Sequence, residues 1–325
     1  MKAGWPLLGA ALLLPPFLPI SDYTLHIIIL VLLWAFVYTS WTIMGRFGLV
    51  SLGHGAFLGL GTYVTALLWN HYGLTPWAGI PLGVVVAVAV ALVIGYPCSR
   101  LKVVGHYFAL VTLALTEVVR LSIVAWRDVT GGSLGMTPNA VPPESIVALQ
   151  FTKFTWYWVA LGVWALGLVV WHRVDRSMTR SAMDAIADDE TAAAAVGINV
   201  TLQKLLVTTV SAALTAFGGA LIGQYQMYIN PDTMAGVGVS LQIVFAAISG
   251  GMYVILGPTV GAILTIVLQE FLRVLFGTRC IGAAATIYGI MLIVFIIFMP
   301  AGICGVIVAR MRKRRAVAAA APAAG

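Results

Sequence analysis

The chain has 325 residues, 61% hydrophobic and 9% charged, with a mean hydropathy of +1.01 and a formal net charge of +7. Soluble domains carry roughly 25% charged residues, so this composition excludes a soluble enzyme or binding module and describes an integral membrane protein. Strand-type alternation is absent, which argues against a barrel. Five of the basic residues, Arg310, Arg312, Lys313, Arg314 and Arg315, follow the last apolar run as a juxtamembrane anchor rather than a nucleic-acid surface.

A spanning helix needs about 20 apolar residues, and runs of that kind recur near 5–20, 23–45, 48–70, 75–97, 104–127, 153–172, 204–227, 237–254, 257–276 and 281–308. They predict an all-α bundle of about ten membrane helices. Residues 1–309 form one transmembrane domain, and 310–325 are a basic, then Ala-rich tail expected to be disordered. Lys2 and the apolar stretch 7–14 have signal-peptide character, but Pro15, Pro16 and Pro19 and the lack of a small-residue cleavage motif favour a retained first helix. With the N-terminus inside, Lys2, Arg46, Arg100, Lys102, Arg173, Arg176, Arg180, Lys204 and the tail cluster fall on the cytoplasmic side. Arg120, Arg127, Lys153, Arg273 and Arg279 fall outside. That asymmetry follows the positive-inside bias and predicts cytoplasmic termini.

The third apolar run contains "SLGHGAFLGLG", residues 51–61. Glycine costs about 1 kcal/mol against alanine in a helix, so Gly53, Gly55, Gly59 and Gly61 together mean close helix contact or local unwinding. Ser51 and His54 favour the second reading, a broken helix whose Ser51, His54, Gly55, Phe57 and Gly59 line a translocation path. Tight packing remains the alternative. His54 has no second His or Cys at metal spacing, so no metal site is expected. Cys98, Cys280 and Cys304 form no C-x-x-C pair and are read as inert apolar residues.

Two E-x-x-R pairs, Glu117 with Arg120 and Glu270 with Arg273, sit at i, i+3 near the outer ends of their spans, where opposite charges neutralise one another. A structural ion pair is the first reading; gating or partner docking is the second. "GHYFALVTLALTEVVRL" and "GPTVGAILTIVLQEFLRVL" share this ending, so spans three to five and seven to nine are candidates for a parallel internal repeat. The outside loop 128–152, rich in Gly and Pro and containing Thr130, Gly131, Gly132 and Ser133, either docks a partner, lines an entrance or simply connects.

Residues 173–203 are the polar exception. Ser181 with Asp184 reads as a capping pair and Gly197 as a stop, predicting a short amphipathic helix outside the membrane. Ala182, Ala185, Ile186, Ala193 and Val196 form its apolar side; Asp184, Asp188, Asp189 and Glu190 form an acidic one. A solvated linker is the alternative. No lysine is preceded by glycine, so the G-K-[ST] of a P-loop is absent and any ATPase is another chain.

The segments "GLVSLGHGAFLGLGTYVTALL", "GHYFALVTLALTEVVRL", "TGGS", "RSAMDAIADDETAAAAVGIN", "GGALIGQYQMYINPD" and "AISGGMYVILGPTVGA" together resemble the permease subunits of branched-chain amino acid ABC importers, LivM-type. The resemblance implies a non-catalytic inner-membrane subunit without cofactor that moves branched-chain or related amino acids, or similar small carboxylate solutes, inward. It implies as partners a second related permease, two cytoplasmic ATPase subunits that bind ATP, and a periplasmic substrate-binding protein. Residues 173–203 are then similar to the segment that docks on an ATPase, with Asp184, Asp188, Asp189, Glu190, Ala193 and Gly197 as contact candidates and Thr191 interrupting the E-A-A pattern. A stand-alone secondary transporter or channel is the competing reading; it would want unpaired acids near the bilayer midplane.

Overall fold

The computed structural model describes residues 21–141 and 145–276, with short stretches between 286 and 310. The first expected span, most of the tenth, most of the basic tail and Cys280 lie outside the described residues. Ten helices of six or more residues are named here: α1 Asp22–Gly45, α2 His54–Tyr72, α3 Pro76–Arg100, α4 His106–Ala125, α5 Lys153–Asp175, α6 Met178–Asp188, α7 Glu190–Ala195, α8 Val200–Gln226, α9 Val237–Gly250 and α10 Gly257–Phe276. Among the described residues, seven helices are long and apolar enough to cross a membrane: α1, α3, α4, α5, α8, the stretch Pro231–Gly250 that ends in α9, and α10. α2 has spanning length but is not one of them. Cys98 is buried and Cys304 half-buried, both as free thiols.

Local chemistry sets the boundaries. The Ser21 hydroxyl accepts from the Thr24 N–H to start α1, Asn199 does the same for Leu202 at the start of α8, and Pro76 stands at the first turn of α3. The expected third span, 48–70, begins late. Gly48 is in the left-handed region at φ +79, residues 49–53 are not helical, and α2 opens only at His54.

Pairings across the bundle fix helix directions. Ser40 meets Thr215 and His26 meets Tyr225, so α1 and α8 are antiparallel. Arg46 meets Asp175 while Lys153 meets Asp22, so α1 and α5 run parallel. His54 meets Ser211 and a Cβ on Gly223 would meet Thr62, so α2 and α8 run parallel. The spanning helices therefore alternate in direction. The ends at 46–53, 101–105, 176–199 and 251–256 gather on one side; 73–75, 126–152 and 227–236 gather on the other. That alternation puts α2–α4 and α8–α10 in the same order of directions, as an internal parallel repeat requires, although alternation alone produces it too.

α2 and α8 form the centre, packed against each other and against α3, with α1 on α8 and α4 on α2. Their crossing is very close: a Cβ on Gly61 would stand 2.0 Å from the Ala216 carbonyl oxygen, and one on Gly219 would stand 2.3 Å from that of Leu58. Small residues at such a crossing bring backbones together, where dispersion and weak polar contacts replace the hydrophobic drive that lipid cannot supply.

Candidate functional site

Leu52 lies in the non-helical segment before α2, where both its backbone groups lack helical partners. Two threonines one turn apart on α4 supply them: Thr112 Oγ1 accepts from the Leu52 N–H at 3.0 Å, and Thr116 Oγ1 donates to the Leu52 carbonyl at 2.8 Å. The Trp41 indole donates to the Ser51 carbonyl at 2.9 Å, and the Ser51 hydroxyl accepts from the Gly53 N–H. Inside a bilayer every backbone polar group needs such a partner. The break is therefore real, as the polar-glycine reading expected, but it is sealed by neighbouring helices.

The residues expected to line a path are enclosed in this structure. Ser51 is 1% exposed, His54 0% and Phe57 3%, while Gly55 and Gly59 are buried. The described cavities include none of them. The Ser211 hydroxyl gives its proton to the Ser40 carbonyl at 2.7 Å, so His54 Nε2, 2.8 Å away, is the donor in their contact and Nδ1 is the unprotonated nitrogen. Phe57 packs edge-on against His54. The Gly55 N–H donates to Ser240 Oγ at 2.9 Å, and a Cβ on Gly55 would lie 2.6 Å from that oxygen; one on Gly59 would lie 2.4 Å from Ala235 Cβ. These residues join α2 to α4, α8 and α9.

A cavity between helices lies at the end opposite α6 and α7. It has a volume of about 470 Å³, within the roughly 300–1,000 Å³ of ordinary ligand clefts. Trp34 of α1, Val239 and Gln242 of α9, and Ile266, Gln269 and Glu270 of α10 wall it, and Tyr228 and Asp232 stand at its rim. The "TGGS" loop is built onto that rim. Gly131, Gly132 and Gly135 have φ of +77, +60 and +76, a conformation that side chains resist. Buried Thr130 donates to the Ile123 and Trp126 carbonyls; Asn230 donates to the Ser133 carbonyl and Tyr228 to that of Leu134.

Both E-x-x-R pairs form. Arg120 holds Glu117 through Nε and Nη2, and Arg273 holds Glu270 in the same way. Each has a further partner that the spacing did not show: Arg120 Nη1 reaches Asp232 Oδ1 at 2.9 Å, and the Tyr23 hydroxyl donates to Glu270. The pairs thus tie α4 to the Asn230–Asp232 turn and α10 to α1.

At the other end, residues 173–203 form two helices rather than one. The expected capping pair fails, because Ser181 lies inside α6 and the cap position is Ser177. The chain breaks at Asp189, which is extended and caps α7 by accepting from the Thr191 and Ala192 N–H groups. The Thr191 hydroxyl foremost, then those two N–H groups, holds the Asp189 carboxyl below the usual carboxylate range. The stop at Gly197, φ +93, is as expected. The faces are redistributed: Ala193 is 3% exposed and packs with Met183, Ile186, Met44, Phe108 and Val207, so it faces the bundle. Glu190 points inward as well, its carboxylate 2.6 Å from the buried Lys204 ammonium. Asp184, Asp188 and Asp189 are exposed, with Asp184 near Arg180, and Val196 and Met178 present apolar surface at 78% and 87% exposure. Arg46, sandwiched between the Phe47 and Trp171 rings, binds Asp175, which also takes Arg180 at 2.7 Å. α6 is thereby clamped to the ends of α1 and α5.

Comparison with known families settles the class. The branched-chain amino acid transport system / permease component family matches residues 23–299. The chain belongs to that family. It is 31% identical over 255 residues to the high-affinity branched-chain amino acid transport system permease protein LivM of Salmonella typhimurium, and 30% identical over the same length to LivM of Escherichia coli. Both alignments cover 71% of this chain and 59% of the relative. It is 24% identical over 287 residues to LivH of Salmonella typhimurium, covering 84% of this chain and 91% of LivH. No solved structure is significantly similar. With seven helices able to cross a membrane among its described residues, the chain is a multi-pass membrane protein of that family.

Proposed function

We propose that the chain is one membrane-spanning subunit of an ATP-binding-cassette importer in the bacterial inner membrane, moving branched-chain or related amino acids into the cytoplasm. Likeness to both LivM and LivH supports pairing with a second, related permease. Two cytoplasmic ATPase subunits bind the ATP, and a periplasmic binding protein delivers the solute to the end that carries the 470 Å³ cavity. The end that carries α6 and α7 is cytoplasmic: Arg46, Arg100, Lys102, Arg173, Arg176 and Arg180 collect there.

The observation that carries this reading is the α6–α7 element. An amphipathic pair that was only a linker would not need a buried ion pair, a guanidinium clamp and a packed face to fix it to four membrane helices. Fixed in that way, a push on its exposed side is passed to α1, α5 and α8. A stand-alone carrier gains nothing from it, and Glu117 and Glu270 are paired with arginine rather than poised at mid-depth. Uptake of labelled leucine, isoleucine and valine in cells that express the chain with its companion subunits tests the proposal. Saturable uptake that disappears when the ATPase subunits are omitted is expected. Uptake that persists without them and collapses with a protonophore would overturn it.

A further inference from the structure

On the side that carries α6 and α7, a cavity of about 330 Å³ lies between the end of α3, α7 and the start of α8. Arg100 and Lys102 line it, both exposed, and among the described residues neither holds an ion pair. Glu190 lines it too, but its carboxylate is already bound to the buried Lys204 ammonium at 2.6 Å. The neighbouring Asp189 is turned onto the Thr191 and Ala192 N–H groups. Glu190 and Lys204 cancel, so Arg100 and Lys102 leave the cavity cationic. Its membrane side is apolar. A Cβ on Gly95 would lie 3.2 Å from Leu205 Cδ2, so α3 and α8 pack together there. Ser99 is one turn beyond Gly95 and Thr201 one turn before Leu205, and both line the cavity, which therefore opens where the α3–α8 seam ends. Beside that seam Tyr96, Leu202 and Leu206 are exposed.

We infer that this cavity holds the headgroup of an anionic phospholipid of the cytoplasmic leaflet. Arg100 and Lys102 take the phosphate, the Ser99 and Thr201 hydroxyls stand in the same cavity to donate to it, and the acyl chains lie on Tyr96, Leu202 and Leu206. Basic pockets between membrane helices on the cytoplasmic side suit such headgroups, because the charge is met at the depth where the lipid carries it. A soluble anion would use the cations and leave the apolar seam unmatched. An acidic protein segment would meet the cations but would have to cover Leu202 and Leu206 as well. A lipid matches both surfaces. The assignment of this end to the cytoplasm rests on the transport reading. The bound lipid joins α3 to α7, so the anionic content of the membrane sets how firmly that six-residue helix is held.

The test titrates phosphatidylglycerol and, separately, phosphatidylcholine into the full chain in neutral detergent. Bound lipid is read by native mass spectrometry and the state of α7 by amide exchange over residues 190–195. Wild type is expected to bind phosphatidylglycerol more tightly than phosphatidylcholine, with exchange in α7 slowing as it binds. Arg100→Gln with Lys102→Gln should weaken phosphatidylglycerol roughly thirtyfold, at about fivefold per basic group, and leave phosphatidylcholine unchanged. Arg173→Gln with Arg176→Gln, on the same side but outside the cavity, should leave both lipids as in the wild type. All four side chains are exposed, so both variants fold. Equal weakening by the two variants would reduce the effect to general attraction between a basic face and an anionic lipid, and would overturn the site. Protection of α7 by inorganic phosphate alone would make the ligand a soluble anion, and protection that appears only when ATPase subunits are added would make it a protein segment; either overturns the lipid. Leucine uptake enters none of these readouts, so a negative result removes the lipid site and leaves the transport reading untouched.

Discussion

A methyl group added at Gly61 would meet the Ala216 backbone at 2.0 Å, whereas one at Gly162 would meet nothing within 4 Å. Backbone cannot rotate away, so Gly61→Ala must spread the α2–α8 crossing, and overpacking of this kind costs about 1–3 kcal/mol or more. Gly162→Ala should be neutral or slightly stabilising, since alanine is the better helix former. Thermal unfolding of the two purified variants checks the pair; equal midpoints would mean that α2 and α8 are not packed this closely. Gly55→Leu belongs with Gly61→Ala, because its side chain would enter Ser240 and the Gly236 carbonyl. The charge pairs yield a second residue-level expectation. Glu117→Gln leaves Arg120 bound to Asp232, but Arg120→Gln strands Glu117 and Asp232 together, so the arginine variant should lower the unfolding midpoint more. A larger loss from Glu117→Gln would show that Asp232 is no partner. The i, i+3 halves of these pairs were legible because helical spacing alone brings them together. Asp232 was not, because it lies 112 residues from Arg120 and only the tertiary fold joins them.

α7 is six residues long, too short to persist alone, so its helix depends on its anchors. Lys204 is the strongest of them. Glu190→Gln leaves a buried ammonium without a counter-ion, a loss on the order of 3 kcal/mol, whereas Glu190→Leu with Lys204→Met removes both charges and should recover much of it. Amide hydrogen exchange over residues 190–195 reports this directly: fast in the single variant, slower again in the double. Unchanged exchange in the single variant would deny the anchor. Asp189 adds a pH dependence. Its folded pKa is depressed, so the cap stabilises α7 above the unfolded value of about 3.9 and is lost as pH falls through the lower folded value. Exchange at 191–195 should therefore quicken below pH ~4 in wild type, and by less in Asp189→Asn. The existence of an amphipathic element here was legible from its charges and small residues. Its break at Asp189 and the inward turn of Glu190 and Ala193 were not, because each depends on Lys204 and on a packed face supplied by α1, α4 and α8.

The bundle as a whole alternates in direction through α1–α5 and α8–α10, and the apolar runs marked each of those helices to within a few residues, save at the start of α2. Hydropathy has little hold on that helix: enclosed by protein rather than lipid, it carries His54, Thr62 and Thr65, all buried. What a linear pattern shows least is which polar residues meet, and here those meetings separate a sealed glycine core, a cavity at one end and a clamped pair of helices at the other. In the proposed function α6–α7 transmits work from an ATPase to this bundle. Asp188 and Val196 are exposed and make none of the contacts that hold the element in place, whereas Asp189 caps α7 and Ala193 is packed. ATP hydrolysis and leucine uptake should therefore be measured together in proteoliposomes that carry the complete transporter with Asp188→Lys and Val196→Asp in this chain. Uptake per ATP is expected to fall roughly tenfold, as for a loss of about 1.4 kcal/mol of docking energy, while amide exchange in α1, α5 and α8 stays that of the wild type. Full coupled uptake by that variant would contradict it.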